Sequence, residues 1–503
     1  MWSDRSPAQA FASLRQTLTE IRKSLGPYAE HVFRTDSSVV ALDMSAIWLD
    51  LRDGGQGPEQ SRGEFLEGID VRDGEFEDWL SVERSRWETS RTAASGASPD
   101  TANSEFPQAR PMPLLTASVD LLDTVVASAD MRAQHAGDIL RSMLIQHLAD
   151  HAHLTIRDRQ AAWTDWMPPR SPLAVQIQVA GDGSPFLATL RILNIYSSSV
   201  EFQAEAPMPY GHMASNANAD LISKIHLLSE MLHRAMQRLA ERMDWDGREA
   251  ARLLTFVALD DMFSISPERL GRAEAALVQA GAAEASGQNL AWRAYLSTFK
   301  LGQKMPRFSE ANVAESEALA RRALELDGHN PLTLALCAHV FSFVLKDHDH
   351  ATDLYVKSLR LNPNRALTWD LFSVLHSYVG RPETGLKCAK WAREIGAYSP
   401  YSYFYDTSYC MNAALAGHHD EAVAFGIKAL NSRPNFSPAL RYLVASAGHL
   451  RQPDKAALWA ERLLRLEPGF TAEQFLGRQH LRLDRNQTDM LRQGFDMAGV
   501  PAR

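Results

Sequence analysis

The sequence predicts a mostly α-helical protein with an α/β domain in its middle and an α-solenoid at its C-terminus. Three observations carry this reading. Five helix ends recur at near-constant spacing beyond residue 313; two alternating apolar runs flank a Gly181-Asp182-Gly183 turn; and an amphipathic stretch that stops at Gly26-Pro27 opens the chain. A chain of 503 residues also exceeds what one hydrophobic core organises, so several domains are expected.

The N-terminal element spans residues 1–50. From Pro7 to Leu25, a helix at about 100° per residue brings Leu14, Leu18, Ile21 and Leu25 to within roughly 60° of one another, a face made for a core. The opposite arc carries Arg15, Gln16, Thr19, Arg22 and Lys23, side chains able to hydrogen-bond phosphates and base edges in a major groove. Two short β-like runs follow in HVFRTDSSVVAL, around a turn at Thr35-Asp36-Ser37-Ser38 and with Arg34 in the first run. Helix then hairpin is the order of the second half of a winged helix.

Residues 9–25, QAFASLRQTLTEIRKSL, resemble the recognition helix of the winged-helix domains that begin bacterial transcriptional activators of the antibiotic-regulatory-protein type. Residues 63–84, GEFLEGIDVRDGEFEDWLSVER, resemble the start of the bacterial transcriptional activator domain that follows there, with Phe65, Leu66, Phe76, Trp79 and Leu80 as its buried anchors. The resemblance covers about the first 88 residues, with 51–88 as the activator-like helical segment. It implies a partial winged helix, because Met1-Trp2 echoes the Leu-Trp pair that closes the preceding helix in that family. It also implies DNA contact through Arg15, Gln16, Thr19, Arg22, Lys23 and Arg34.

Residues 89–113 are rich in Ser, Ala and Pro and read as a flexible linker. The α/β domain is expected over 114–245. It opens with an apolar run at Leu114–Leu121 and a helix from Met131 to His151, where Ile139, Met143 and Leu144 repeat at helical spacing. Val175, Ile177 and Val179, then Phe186, Ala188, Leu190 and Ile192, alternate as two strands about the glycine turn. A strand at Ser199–Ala204 and a long helix from Asn218 to Met243 complete it. In layout the domain is similar to small domains set between winged helices and repeat arrays in some bacterial regulators and cyclase-associated proteins. The glycines sit in a hairpin, not between strand and helix, so no phosphate-binding loop is expected.

The solenoid is expected over 246–503. Ala323, Ser358, Ala392, Ala429 and Leu463 hold equivalent places in successive helices, spaced by 35, 34, 37 and 34 residues, which is the tetratricopeptide period. Ala351, Ala422 and Ala456 stand seven residues earlier, where two helices must approach closely. Pro363, Pro434 and Pro468 end their helices, since proline has no N–H for the ladder. Two departures stand out: Asp406 at a large-residue position and His339 at a close-contact one. Helices at 267–280 and 289–299 extend the stack as a further pair. Its inner surface suits protein partners, with Trp369 and Tyr405 as candidate contacts.

Chemistry-bearing motifs are sparse. His135, His147, His151 and His153 include a one-turn pair but lack the glutamate and third ligand of a zinc site, so no metal and no cofactor is expected. Neither a GxSxG elbow nor a motif pairing cysteine with histidine occurs. Cys337, Cys388 and Cys410 are the only cysteines, no apolar run approaches the ~18 residues of a membrane span, and the start lacks a signal-peptide layout, which together fit a cytoplasmic protein. A net charge of −9 excludes a wholly basic surface but not one basic helix. The expected protein is non-enzymatic: a transcriptional regulator that binds DNA and docks proteins through its repeats, or, alternatively, a docking adaptor without DNA contact.

Overall fold

Alternation between apolar and polar side chains organises the middle of the chain as a sheet with one covered face. In the computed structural model, residues 117–503 are described except 152–153, 160–170, 196, 198, 211–217, 243–246, 303–308, 451–452 and 478–480; before residue 117 the described residues are 16–19, 22–23, 33–35 and 40–42. Met1–Ala109 and Arg110–Arg503 form separate compact units.

In the first unit, residues 16–19 and 22–23 are helical, with Gln16, Thr19, Arg22 and Lys23 exposed. Strands β1 (Phe33–Thr35) and β2 (Val40–Leu42) pair antiparallel, setting Arg34 opposite Ala41. Arg15, the 63–84 segment and the 89–113 linker lie outside the described residues.

The second unit begins with β3 (Ser118–Leu121), β4 (Val125–Ala127), helix α1 (Met131–Ala149), β5 (Thr155–Asp158), β6 (Leu173–Ala180), β7 (Phe186–Asn194), β8 (Ser199–Met208) and α2 (Ala219–Arg242). The strand order is β5-β3-β6-β7-β8, with β4 also on β6. Pairings of β3 and β4 are parallel, while β6–β7–β8 form an antiparallel meander. Gly181 and Gly183, at φ of 118° and 153°, make the turn that lets β7 fold back on β6. Val175, Ile177, Val179, Ala188, Leu190 and Ile192 are buried in one core with Leu140 and Leu144 of α1 and Ile225 and Leu228 of α2. On the other face Arg191 donates to Gln203 (2.8 Å) and Gln178 (3.0 Å), a polar ladder of the kind a solvated sheet face carries. Asp130 and Asn218 cap the two helices by accepting from the Arg132 and Leu221 amides.

The helical array follows: α3 (Gly247–Ser264), α4 (Pro267–Ala283), α5 (Gly287–Gly302), α6 (Glu310–Asp327), α7 (Pro331–His339) with a π-turn at Val340–Val344, α8 (His348–Leu361), α9 (Ala366–Tyr378), α10 (Pro382–Ile395), α11 (Ser402–Leu415), α12 (His419–Ser432), α13 (Ser437–His449) and α14 (Pro453–Leu466). The short α15 (Ala472–Leu476) and α16 (Arg485–Met497) close the end. Consecutive helices pair as antiparallel hairpins, and the repeats are of tetratricopeptide type. Ala323, Ser358, Ala392, Ala429 and Leu463, the periodic positions, are all fully buried, as are Ala351, Ala422 and Ala456. The 267–280 and 289–299 helices are present, but they belong to different hairpins: α4 packs on α3, and α5 on α6.

Both departures have a physical account. Asp406 is buried but bonded to Arg393 (2.7 Å) and within 3.4 Å of Lys428, so a charged pair replaces the usual large apolar residue. At His339 the α-helix gives way to the π-turn, and the imidazole stacks on Phe343 at 5.7 Å. Gly380 and Gly417 take φ of 69° and 80° at the tight turns within their hairpins, where a side chain would be strained. At the C-terminal end, Gly448 and Gly494 allow α13 and α16 into backbone contact; a Cβ on Gly494 would lie 2.0 Å from the Ala445 carbonyl oxygen.

Helix α3 belongs to both cores. Leu253 and Phe256 pack with the sheet, and Ala258, Met262 and Phe263 with the array. This shared helix makes residues 110–503 one unit.

Candidate functional site

Two features of the second unit concentrate unusual chemistry: a groove along the inner face of the array and a buried seam where the α/β part meets it. The groove arises because the first helices of successive hairpins present i, i+3/i+4 stripes to one side. Tyr295, Thr298, Phe299 and Gly302 come from α5, Asp370, Val374 and Tyr378 from α9, and Phe404, Thr407, Ser408 and Met411 from α11. His339 and Phe343 join from α7 and its π-turn, and Arg441 and Tyr442 from α13, around a cavity of about 130 Å³. The rings touch in sequence: Tyr295 on Phe299 (5.4 Å), Phe299 on Phe404 (5.6 Å), Phe404 on Phe436 (5.2 Å), with Phe343 stacked on Tyr378 at 5.9 Å.

Charges in the groove are unevenly matched. Arg441 is buried but bonds Glu467 (2.7 Å) and the Gly302 carbonyl (3.2 Å). Asp370 is 0 % exposed, and no cation pairs with its carboxylate among the described residues. Burial pushes its carboxyl up to about 7, with the nearby Ser408 hydroxyl opposing and Asp406 adding to the rise.

At the seam, the residue that ends α1, Asp150, meets four repeat elements. Its Oδ2 accepts from Arg365 Nε (3.0 Å) and Nη2 (2.6 Å) and from Asn362 Nδ2 (2.5 Å). Its carbonyl accepts from the Gln288 amide and from Asn330 Nδ2 (3.3 Å), while Arg365 Nη2 also donates to the His147 carbonyl (3.2 Å). Asp150 and Arg365 are both buried. Beside them four imidazoles form a row across α1 and α2: His226 to His147 at 4.4 Å, His147 to His151 at 6.1 Å, His151 to His233 at 4.6 Å. These rings line a cavity of about 80 Å³ that also takes in Glu230, Tyr401 and Tyr405.

Two imidazoles of the row, His226 and His147, are held uncharged. Burial lowers His226 to about 4 against the opposing hydrogen bond that its Nε2 donates to the Asn364 carbonyl (2.6 Å). His147 is lowered well below the ordinary histidine range by burial, then by His226 and Arg365. Burial raises Glu230 to about 7, opposed by Arg234 and Arg365. Among the described residues no three His, Cys, Asp or Glu side chains gather as a metal-ligand set.

The predicted partner contacts lie at this seam rather than on the open inner face. Tyr405 is buried with Ile222, Ala366 and Ile395, and Trp369 packs on the same cluster while its indole N–H donates to the Pro363 carbonyl (2.7 Å). Helix α2 covers them. The periodic pattern placed both residues on first helices, but nothing in it told that another part of the chain would occupy that stretch. Asp370 and Asp150 passed unremarked in sequence because a single acid in a helix has no local signature of burial. Of the proposed DNA contacts, Gln16, Thr19, Arg22 and Lys23 are on helical residues, Arg34 is in β1 and Arg15 is not described. The three thiols are buried; burial pushes Cys337 up to about 12 and Cys388 to about 11, and raises Cys410 further. None is poised as a thiolate nucleophile. Among the described residues no helix is long and apolar enough to cross a membrane.

No protein-family model matches the chain, and no curated protein sequence matches it. Solved structures similar to parts of it include PilW, a type IV pilus biogenesis factor, at 18 % identity over 41 % of this chain and 90 % of that one, with a TM-score of 0.30. YrrB, described as a TPR protein with an unusual peptide-binding site, is similar at 16 % identity over 38 % of this chain and 93 % of that one, TM-score 0.27. Yeast Tom70 is similar at 14 % identity over 56 % of this chain and 62 % of that one, TM-score 0.29.

Proposed function

We propose that this chain is a non-catalytic adaptor that holds a segment of a partner protein in the groove of its repeat array. The observation that carries this reading is the continuous aromatic lining contributed by first helices from α5 to α13, which the described residues of the α/β part leave uncovered, packing instead on Trp369, Trp391 and Tyr405. Rigid, contiguous inner faces of this kind present many shallow pockets to an extended segment. Val374 is half-buried in the groove, so Val374→Trp fills it. Selection of the full chain on a displayed library of random peptides should enrich a recurrent motif, and the tryptophan variant should bind its members at least about tenfold more weakly, a loss of about 1.4 kcal/mol. No enrichment, or enrichment indifferent to Val374→Trp, would sink the reading.

A second reading rests on the N-terminal unit. Exposed Gln16, Thr19, Arg22 and Lys23 on helical residues, followed by the β1–β2 hairpin bearing Arg34, support a role as a transcriptional regulator whose helix and wing contact DNA while the array docks a protein. The logarithm of the full chain's affinity for duplex DNA should then fall linearly with log salt concentration, and Arg22→Ala should reduce that slope by about one. Binding without salt dependence, or none at low salt, would count against it.

A further inference from the structure

Resting on the adaptor reading, we propose that the groove is specific for a basic segment, and that Asp370 seats the cationic end of one lysine or arginine of the partner. The structure contains a buried acid with no counter-charge. Other buried acids of the second unit are matched: Asp150 by Arg365, Asp406 by Arg393 and Lys428, Asp261 by Arg269 and Arg272. No cation pairs with the Asp370 carboxylate among the described residues, where it meets only the neutral Ser408 hydroxyl and the like charge of Asp406, and the arginine that lines the groove is engaged elsewhere. Arg441 is bonded to Glu467, and Arg433 lies over the Tyr403 ring at 5.2 Å.

A carboxylate removed from water without a partner is costly, and the cost is relieved when an opposite charge arrives with its own desolvated stem. The surroundings of Asp370 suit such a side chain. Aromatic rings of Tyr295, Phe299 and Tyr378 line the same cavity, where an alkyl stem finds apolar contact and an ammonium or guanidinium group finds negative ring faces. An acidic segment would meet repulsion from Asp370, and a wholly apolar one would leave it unpaired, so charge complementarity selects the basic partner. Burial holds the carboxyl near 7, so it ionises readily when a cation is brought to it.

The test uses the full chain and its Asp370→Asn variant, which keeps shape and removes charge. Both are taken through the random-peptide selection, and a synthetic peptide of the recovered motif is then compared with one carrying norleucine in place of its lysine. The expected result is a motif with a basic position whose replacement by norleucine weakens binding at least about tenfold in the natural chain and by less than about threefold in Asp370→Asn. A thermal midpoint of Asp370→Asn no lower than that of the natural chain shows that the variant is folded. A recovered motif without a basic position, or one whose lysine matters equally in both proteins, overturns this inference and leaves the adaptor reading standing. Failure to recover any motif sensitive to Val374→Trp overturns both.

Discussion

Arg365→Ala is expected to destabilise residues 110–503 by about 3–5 kcal/mol, the usual effect of stranding one member of a buried ion pair. Asp150 would keep Asn362 but lose both guanidinium bonds, and the His147 carbonyl would lose its donor. Because the pair ties the end of α1 to the start of α9, the damage should fall on the seam. Urea unfolding should show a lower midpoint or a new first transition, and limited proteolysis should cut earlier between α2 and α3. Replacing both charges together, as Asp150→Leu with Arg365→Met, should recover much of the loss, since no charge is then left buried alone. A single-variant loss below about 1 kcal/mol would mean that water reaches the pair and that it does not hold the seam.

His226→Gln is expected to flatten the acid side of the stability profile by about 3 kcal/mol between pH 6.5 and 4. The sign follows from the folded-state value of about 4 against an ordinary 6.5. As pH falls through 6.5 the unfolded chain takes up a proton that the folded chain refuses, so stability drops until the folded imidazole itself titrates near 4. Glutamine keeps an N–H to donate toward the Asn364 carbonyl but does not titrate. Asp370 and Glu230 act in the opposite sense, since carboxyls raised to about 7 contribute stability that increases as pH falls below 7. The difference between the two proteins across pH isolates the histidine from these carboxyls. Parallel profiles for natural chain and variant in urea unfolding would show that His226 is solvated.

Legibility differed by element. The period of the repeats was visible because close helix packing tolerates only small side chains at Ala351, Ala422 and Ala456, and these recur wherever a hairpin closes. The β6–β7 hairpin was visible because its covered face demands every second residue and its turn demands glycine. The strands β3 to β5 were harder to read: three or four residues each, with parallel partners distant in the chain, they have no turn between them to announce the pairing. The long helices were placed almost to the residue, yet α3 was not distinguished as a bridge between two cores.

Local spacing in the sequence by itself determined the mostly helical class, the repeat array and the central hairpin, because each depends on contacts between segments close in the chain. Tertiary structure alone decided which stretches of that array are open. Trp369 and Tyr405 carry the marks of an exposed inner face but lie beneath α2, while Asp370, the residue after Trp369, lines the groove with no counter-charge. Asp150 gains its meaning only from Arg365, 215 residues away. The physical reason is range: periodicity reports the packing of neighbours, whereas burial of a charge depends on whatever distant segment covers it, and no local pattern records that.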